Sequence, residues 1–288
     1  LSERIQTVLV GTSLDEASDG VARVAAEIAR AAGAEVHLVH AFAPPLGLGS
    51  EFGPSFLHEE ALGAQEELAR QLLEEQAGRL GAASSFAAGA PHRVLPELAA
   101  QLGAGLLVVG AAAGPMARLL GSTADRVLRK APCPVLVVRA GLSVPPARVL
   151  APVDLSPLSA EAFRRGIGLL RAFGGGVVPG VEALFVLSVV QRQVSPQFTP
   201  EQVDRFAAEE LERFVAAHGE GADVRPKVRT GNAREEILAE IRESGADLVL
   251  IGTHGLGGFD RLVIGSVAAD VAREAPASVL VISPGERS

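Results

Sequence analysis

The chain has one cysteine, Cys133, and two lysines, Lys130 and Lys227, in 288 residues. A single cysteine excludes an intramolecular disulfide and makes a reducing compartment, the cytoplasm, the expected location. Cys133 sits between Pro132 and Pro134 ahead of an apolar run, which reads as buried packing rather than a nucleophile. No stretch is long and apolar enough to span a bilayer, so no membrane partner is expected. The opening LSERIQTVLV reads as a polar lead into a strand, not a secretory signal. Positive charge is in deficit: the formal net charge is −8, which argues against a nucleic-acid partner. Small anions remain open, because local dipoles suffice to hold them.

Three familiar phosphate motifs are also absent. GxxxxGK[ST] fails because no lysine precedes Ser266. GxGxxG fails because Gly255 and Gly257 are followed by Asp260 where the last glycine belongs. No SGGxDS pyrophosphatase loop follows the first strand. Any phosphate grip must therefore use backbone N–H groups, Ser266 and Arg261.

What the chain does have is an internal repeat. Leu106–Gly110 (LLVVG) matches Leu248–Gly252 (LVLIG), and Gly121-Ser122 matches Gly265-Ser266. Ala131–Val138 matches Ala275–Ile282, Gly89 matches Gly231, and Val8–Ser13 matches Val149–Asp154. The blocks keep one order, as in a tandem duplication. With 48% hydrophobic and 21% charged residues, each half is a globular domain with its own core. The domains span 1–140 and 148–288, joined by the short, proline-containing Ala140–Ala147.

Each half alternates strand and helix signals. The first reads as strand Ile5–Val10, a helix capped by Asp15, Ser18 or Asp19 and ended by Gly33, and strand Glu35–Phe42. A loop at Ala43–Ser55, helix Glu59–Leu80, a weak strand near Ser84–Ala88, helix Pro91–Leu102 and strand Leu106–Val109 follow. The second reads as strand Arg148–Pro152, helix Pro157–Phe173, strand Val181–Val190 and loop Gln191–Phe198. Next come a helix capped by Thr199 with Gln202, strand Val224–Val228 and helix Ala233–Glu243. Strands Leu248–Ile251 and Ala277–Ile282 flank helix Ser266–Glu274. This alternation implies an α/β chain of two tandem doubly wound domains, each a five-stranded parallel sheet flanked by helices. In such sheets ligands sit beyond the carboxyl ends of strands, where strand order reverses.

The sharpest motif is Gly252-Thr253-His254-Gly255, nine residues, then Gly265-Ser266. It starts at the end of a buried strand and finishes at a helix start, where free N–H groups and the helix dipole favour a phosphate. The plain alternatives stand beside it. Gly252 and Gly255 also suit ordinary turns, Asp154 a turn or helix cap, and Arg261 a surface charge. His254 has no paired acid and reads as a hydrogen-bonding residue, not a base. Glu209-Glu210 and Glu235-Glu236 read as solvated helix faces, and the other histidines lack metal-ligand spacing.

With G-x2-G-x9-G-[S/T] filled by Gly252, Gly255, Gly265 and Ser266, and Pro-x-Asp by Pro152-Val153-Asp154, the chain resembles the universal stress protein family over both halves. The resemblance implies ATP held by the second half. Asp154 and Val153 would lie near ribose or adenine, and Val189, at the end of its strand, would contact adenine through its backbone. Ile251 would pack against the nucleotide, while Ser266 and Val267 would offer N–H groups to phosphate. Mg²⁺ would accompany a triphosphate. It further implies pairing of the halves through Pro134–Arg139 and Ser278–Ser283 as an internal pseudo-dimer, with homodimerisation of whole chains compatible. The first half departs from the pattern. Ser13 replaces Asp154, Ala113 replaces the second glycine, and the loop from Gly110 to Gly121 is two residues shorter. Its site is expected to be empty of nucleotide or weak. No general base, carboxylate cluster or phosphate lysine is evident, so a stress-response sensor or regulator is expected. A slow ATPase or self-phosphorylating protein, and a ligand-free interaction module, are the alternatives.

Overall fold

The computed structural model describes residues 5–43, 55–111, 122–193, 198–253 and 264–283. Among these residues the first half runs β1 (Thr7–Gly11), α1 (Glu16–Ala32), β2 (Glu35–Phe42), α2 (Ser55–Leu80) and β3 (Ala83–Ala88). It continues with α3 (Pro91–Gln101), β4 (Leu106–Gly110), α4 (Ser122–Leu128) and β5 (Val135–Val138). The second half runs β6 (Val149–Val153), α5 (Pro157–Phe173), β7 (Val181–Leu187), α6 (Val189–Gln193) and α7 (Pro200–His218). It ends with β8 (Val224–Thr230), α8 (Ala233–Ser244), β9 (Leu248–Gly252), α9 (Ser266–Glu274) and β10 (Ser278–Ile282).

Local chemistry sets most of these bounds. The Asp15 carboxylate accepts the Ser18 N–H at 2.8 Å while the Ser18 hydroxyl accepts the Asp15 N–H at 3.0 Å, a capping box that starts α1. Gly33, at φ 67°, closes that helix in the left-handed conformation. Thr199 and Gln202 form the same box at α7, with Pro200 in its first turn. Two bounds differ from expectation by more than two residues: α2 begins at Ser55, and β7 stops at Leu187, so that Val189 opens the short α6. The cause of the second is another box, in which Gln191 N–H donates to the Ser188 hydroxyl and Ser188 N–H to the Gln191 side chain.

The strands form one ten-stranded sheet in the order β3-β2-β1-β4-β5-β10-β9-β6-β7-β8. Within each half neighbours are parallel. The halves meet where β5 and β10 run antiparallel, with Val135 opposite Val281, Leu136 opposite Leu280 and Val137 opposite Val279. Every residue of these two strands is buried. Period-two alternation sends Val8, Val10, Leu136 and Leu280 to one face, beneath α1, α2, α5 and α7. Leu9, Val137 and Val279 go to the other, beneath α3, α4, α8 and α9. Each core therefore continues from one half into the other.

Asp247 straps the connection between the halves. Its Oδ2 accepts the Ala147 N–H at 2.8 Å and its Oδ1 the Arg148 N–H at 2.8 Å. The antiparallel seam has a geometric consequence. Carboxyl ends of the first half's strands lie at the same end of the sheet as amino ends of the second half's strands. The two switch points, β1/β4 and β6/β9, thus open at opposite ends.

Candidate functional site

The second half's switch point lies between β6 and β9, and the point where their pairing ends follows from one residue. Val149 N–H donates toward β7, to Gly180 O at 3.3 Å. By alternation, position 152 faces β9, and proline there has no N–H to give. The β6–β9 ladder accordingly holds only at Val149–Leu248 and Leu150–Val249. In the first half Gly11 occupies the matching position and the β1–β4 ladder extends one pair further, to Val10–Val108. Pro152 thus ends the β6–β9 pairing one step earlier, at the carboxyl ends of the two strands, where a doubly wound sheet places its ligand crevice.

Asp154 stands at the lip of that crevice. Its Oδ1 accepts the Ser156 N–H at 3.0 Å, and its own N–H donates to the Ser159 hydroxyl at 3.2 Å. The turn reading of Asp154 is thus realised. Leu155 between them takes φ 63°, and its repeat counterpart Leu14 takes the same value. Two side-chain-bearing residues in the left-handed region at matching sites mark a turn held against its local preference. Val153 is buried beneath Asp154.

Across the crevice, Ile251 is buried at the end of β9 and Gly252 closes the strand. Thr253 N–H donates to Ile282 O at 2.9 Å, and the Gly265 N–H donates back to Thr253 O at 2.7 Å. The two ends of the glycine loop are therefore clamped together. Gly265 is needed for space: its φ is −59°, but a Cβ there would lie 3.3 Å from Thr253 O. Gly265 caps α9, and among the described residues no side chain caps the helix start. Ser266 is exposed in the first turn, and Val267 is half-buried with its side chain on the core. Gly255, Arg261 and His254 lie outside the described residues.

The structure brings Pro152, Val153, Asp154, Ile251, Gly252, Gly265, Ser266 and Val267 to one end of two neighbouring strands. Val189 stands apart from the strand geometry expected for it: it is the exposed first residue of α6, after β7 has ended. One cation was missed by the sequence. Arg165 of α5 donates from Nη1 to Ser283 O at the end of β10, the same end of the sheet. Nothing in the helical periodicity distinguishes it from Arg164 or Arg171. Among the described residues no cluster of His, Cys, Asp or Glu is arranged to hold a metal. A divalent ion at this site would have to arrive on the ligand.

A denser charge cluster lies elsewhere, at the outer edge of the second half. Glu240 is 1% exposed and meets Lys227 at 2.7 Å and Arg229 at 2.8 Å, and Arg229 also pairs with Glu236 at 2.6 Å and Glu243 at 2.8 Å. Burial opposes the Glu240 charge, but hydrogen bonds from Lys227 and Arg229 prevail and hold its pKa below the ordinary value. Burial and the neighbouring Glu240 push Glu182 up, against the pull of Lys227. Glu236 is therefore part of an ion-pair network rather than a solvated face. Cys133 is buried, and desolvation pushes its thiol up to about 12, which leaves it unreactive.

Comparison with known proteins now decides the family. The universal stress protein family model matches twice, over residues 4–139 and 146–283. The chain belongs to the universal stress protein family. A universal stress protein of Mycolicibacterium smegmatis is 30% identical over 303 residues, covering 96% of this chain and 97% of its own. One from Mycobacterium tuberculosis is 29% identical over 301 residues and covers 95% of each. Among solved structures, a universal stress protein from Archaeoglobus fulgidus superposes with TM-score 0.68 at 19% identity, covering 99% of this chain and 98% of that one. The family and the doubly wound fold are thus shown for the whole tandem.

Proposed function

We propose that the second half binds an adenine nucleotide, ATP accompanied by Mg²⁺, and that the protein acts as a nucleotide-dependent stress-response sensor or regulator in the cytoplasm. The observation that carries this reading is the start of α9, a helix with no side-chain cap among the described residues, beside the switch point where Pro152 ends the β6–β9 ladder. Uncapped N–H groups and the positive helix pole suit a phosphate chain. Asp154 and Val153 then lie on the nucleoside side, Ile251 beneath the ligand, and Ser266 and Val267 at the phosphates, with Gly252, Gly255 and Arg261 supplying the loop. The backbone of Val189 would approach from the beginning of α6.

Chemistry beyond binding has little support. Without a carboxylate cluster among the described residues, Mg²⁺ would ride on the triphosphate, and turnover would be slow at most. Calorimetric titration of MgATP into nucleotide-stripped protein should give one site per chain. Gly265→Val should abolish that heat while leaving the unfolding midpoint within about 2 °C, because the new side chain presses on Thr253 O at the loop clamp rather than in the core. Two equal sites per chain, or none, would refute the reading.

A further inference from the structure

The first half holds a cavity of about 1150 Å³ at the carboxyl ends of β1 and β4, walled partly by the second half through Arg242, Glu274 and Pro276. That is the volume of a generous small-molecule site. Its inner wall is apolar, built from Val21, Val24, Val39, Leu95, Val109 and Val138. Hydroxyls of Thr12 and Ser18 and the His40 ring give it a small polar floor, already joined as Thr12 to Ser18 at 3.0 Å and His40 to Thr12 O at 3.0 Å.

The charges around this cavity are unlike those of the second half's site. The positive pole of α1 is covered by its own carboxylates: Asp15 caps the helix and Glu16 follows in the first turn. At the matching point α5 begins Ser156-Pro157 and has no acid in its first turn. Where α5 carries Arg165, the aligned residue of α1 is Val24. On the far wall, the Arg139 Nη2 donates to Ala272 O at 3.1 Å and Arg273 O at 3.2 Å, so its charge faces the negative pole of α9. Glu274 is held by Arg234 at 2.6 Å. A phosphate entering here would meet the carboxylates of Asp15 and Glu16 at the start of α1, where the start of α5 is capped by the neutral Ser156 hydroxyl.

We propose that this cavity is a second ligand site, for an uncharged and largely apolar organic molecule, from which nucleotides are excluded. The apolar wall supplies the affinity by desolvation, and the hydroxyl and imidazole floor orients one or two polar groups of the ligand. The inference stands independently of nucleotide binding by the second half.

Gly20 provides a clean test. It lines the cavity from within α1, and a Cβ added to it meets no atom within 4 Å. Gly20→Trp should therefore fill the cavity while the helix, relieved of a glycine, folds at least as well. The uncharged dye Nile red is titrated by fluorescence into the wild-type chain, Gly20→Ala and Gly20→Trp, each with and without saturating MgATP. The expected result is saturable dye binding to wild type and Gly20→Ala, weakened about tenfold or more by Gly20→Trp and unaffected by MgATP. No saturable binding to wild type, equal binding to a folded Gly20→Trp, or displacement of the dye by MgATP would each overturn the proposal. Loss of MgATP binding alone would count against the second half's assignment and not against this one.

Discussion

The two halves share a backbone plan and differ in where they place charge. At the outer edge of the second half, β7, β8 and α8 build a network of Glu182, Lys227, Arg229, Glu236, Glu240 and Glu243. At the matching edge of the first half, the His37 ring meets the Ser85 hydroxyl at 2.8 Å, and Val94 and Leu98 stand where Glu236 and Glu240 stand. Burial pushes the His37 pKa down, toward the neutral form. At the switch points the contrast runs the other way. The first half puts carboxylates at the N-cap and in the first turn of α1, whereas the first turns of α5 and α9 hold none and Asp154 stands just ahead of α5. A fold can thus be copied while its electrostatics are rewritten, because backbone hydrogen bonds and apolar alternation specify the sheet and surface-facing positions remain free to vary.

The comparison is sharpest where the halves are most alike, at the seam. Leu136 and Leu280 are paired across it and fully buried. Leu136→Ala and Leu280→Ala should each cost about 3 kcal/mol in chemical denaturation, with a single transition retained. A negligible cost for one alone, or two separate transitions, would break the picture of cores shared between halves.

The edge network gives the next largest effect. Glu240→Gln should cost about 2 kcal/mol near neutral pH, since it leaves Lys227 and Arg229 with weaker partners. The folded-state pKa of Glu240 lies below its usual 4.5, so its contribution is present above that pH and lost as pH falls through the lowered value. The gap between wild type and variant should therefore close in acid, below about pH 4.5. A gap that widened in acid would mean that Glu240 is protonated in the native protein.

Exchanging the switch-point residues probes function. Asp154→Ala should weaken MgATP binding about tenfold, the loss of one charge-assisted contact together with a turn hydrogen bond. Ser13→Asp, the reverse exchange, should not create a second nucleotide site, because Asp15 and Glu16 still cover the start of α1. Two sites in Ser13→Asp would show that Asp154 alone distinguishes the halves. The smallest effect is expected at Cys133, whose repeat counterpart is Ala277. Cys133→Ala should change stability by less than about 1 kcal/mol. In the native wild type the thiol should resist Ellman's reagent at pH 8, as its pKa of about 12 requires.

Much of this was legible in the linear chain. The bounds of β2, α5 and α9 agree residue for residue with the sequence reading, because caps and breakers such as Ser156-Pro157 act within a few residues of where they stand. The loss at β7 is instructive. Val189-Val190 extends an apolar run and reads as strand, but the Ser188–Gln191 box satisfies the backbone as helix instead. The capping signal was present, and apolar character masked it. Glu235-Glu236 read as a solvated face because Arg229, the partner of Glu236, belongs to a different element.

By itself the sequence determined the duplication, the alternation of strand and helix, the family motif and the starts of well-capped helices such as α5 and α7. These rest on local hydrogen bonding and on apolar periodicity, which short stretches of chain express directly. Only the tertiary structure decided that the missing N–H of Pro152 faces β9, that the two crevices open at opposite ends of one sheet, and that Arg139 of one half caps a helix of the other. Each depends on which strand lies beside which and in what direction. That is fixed when the edges of β5 and β10 pair and their apolar faces are buried beneath the helices, and residues far apart in the chain become neighbours.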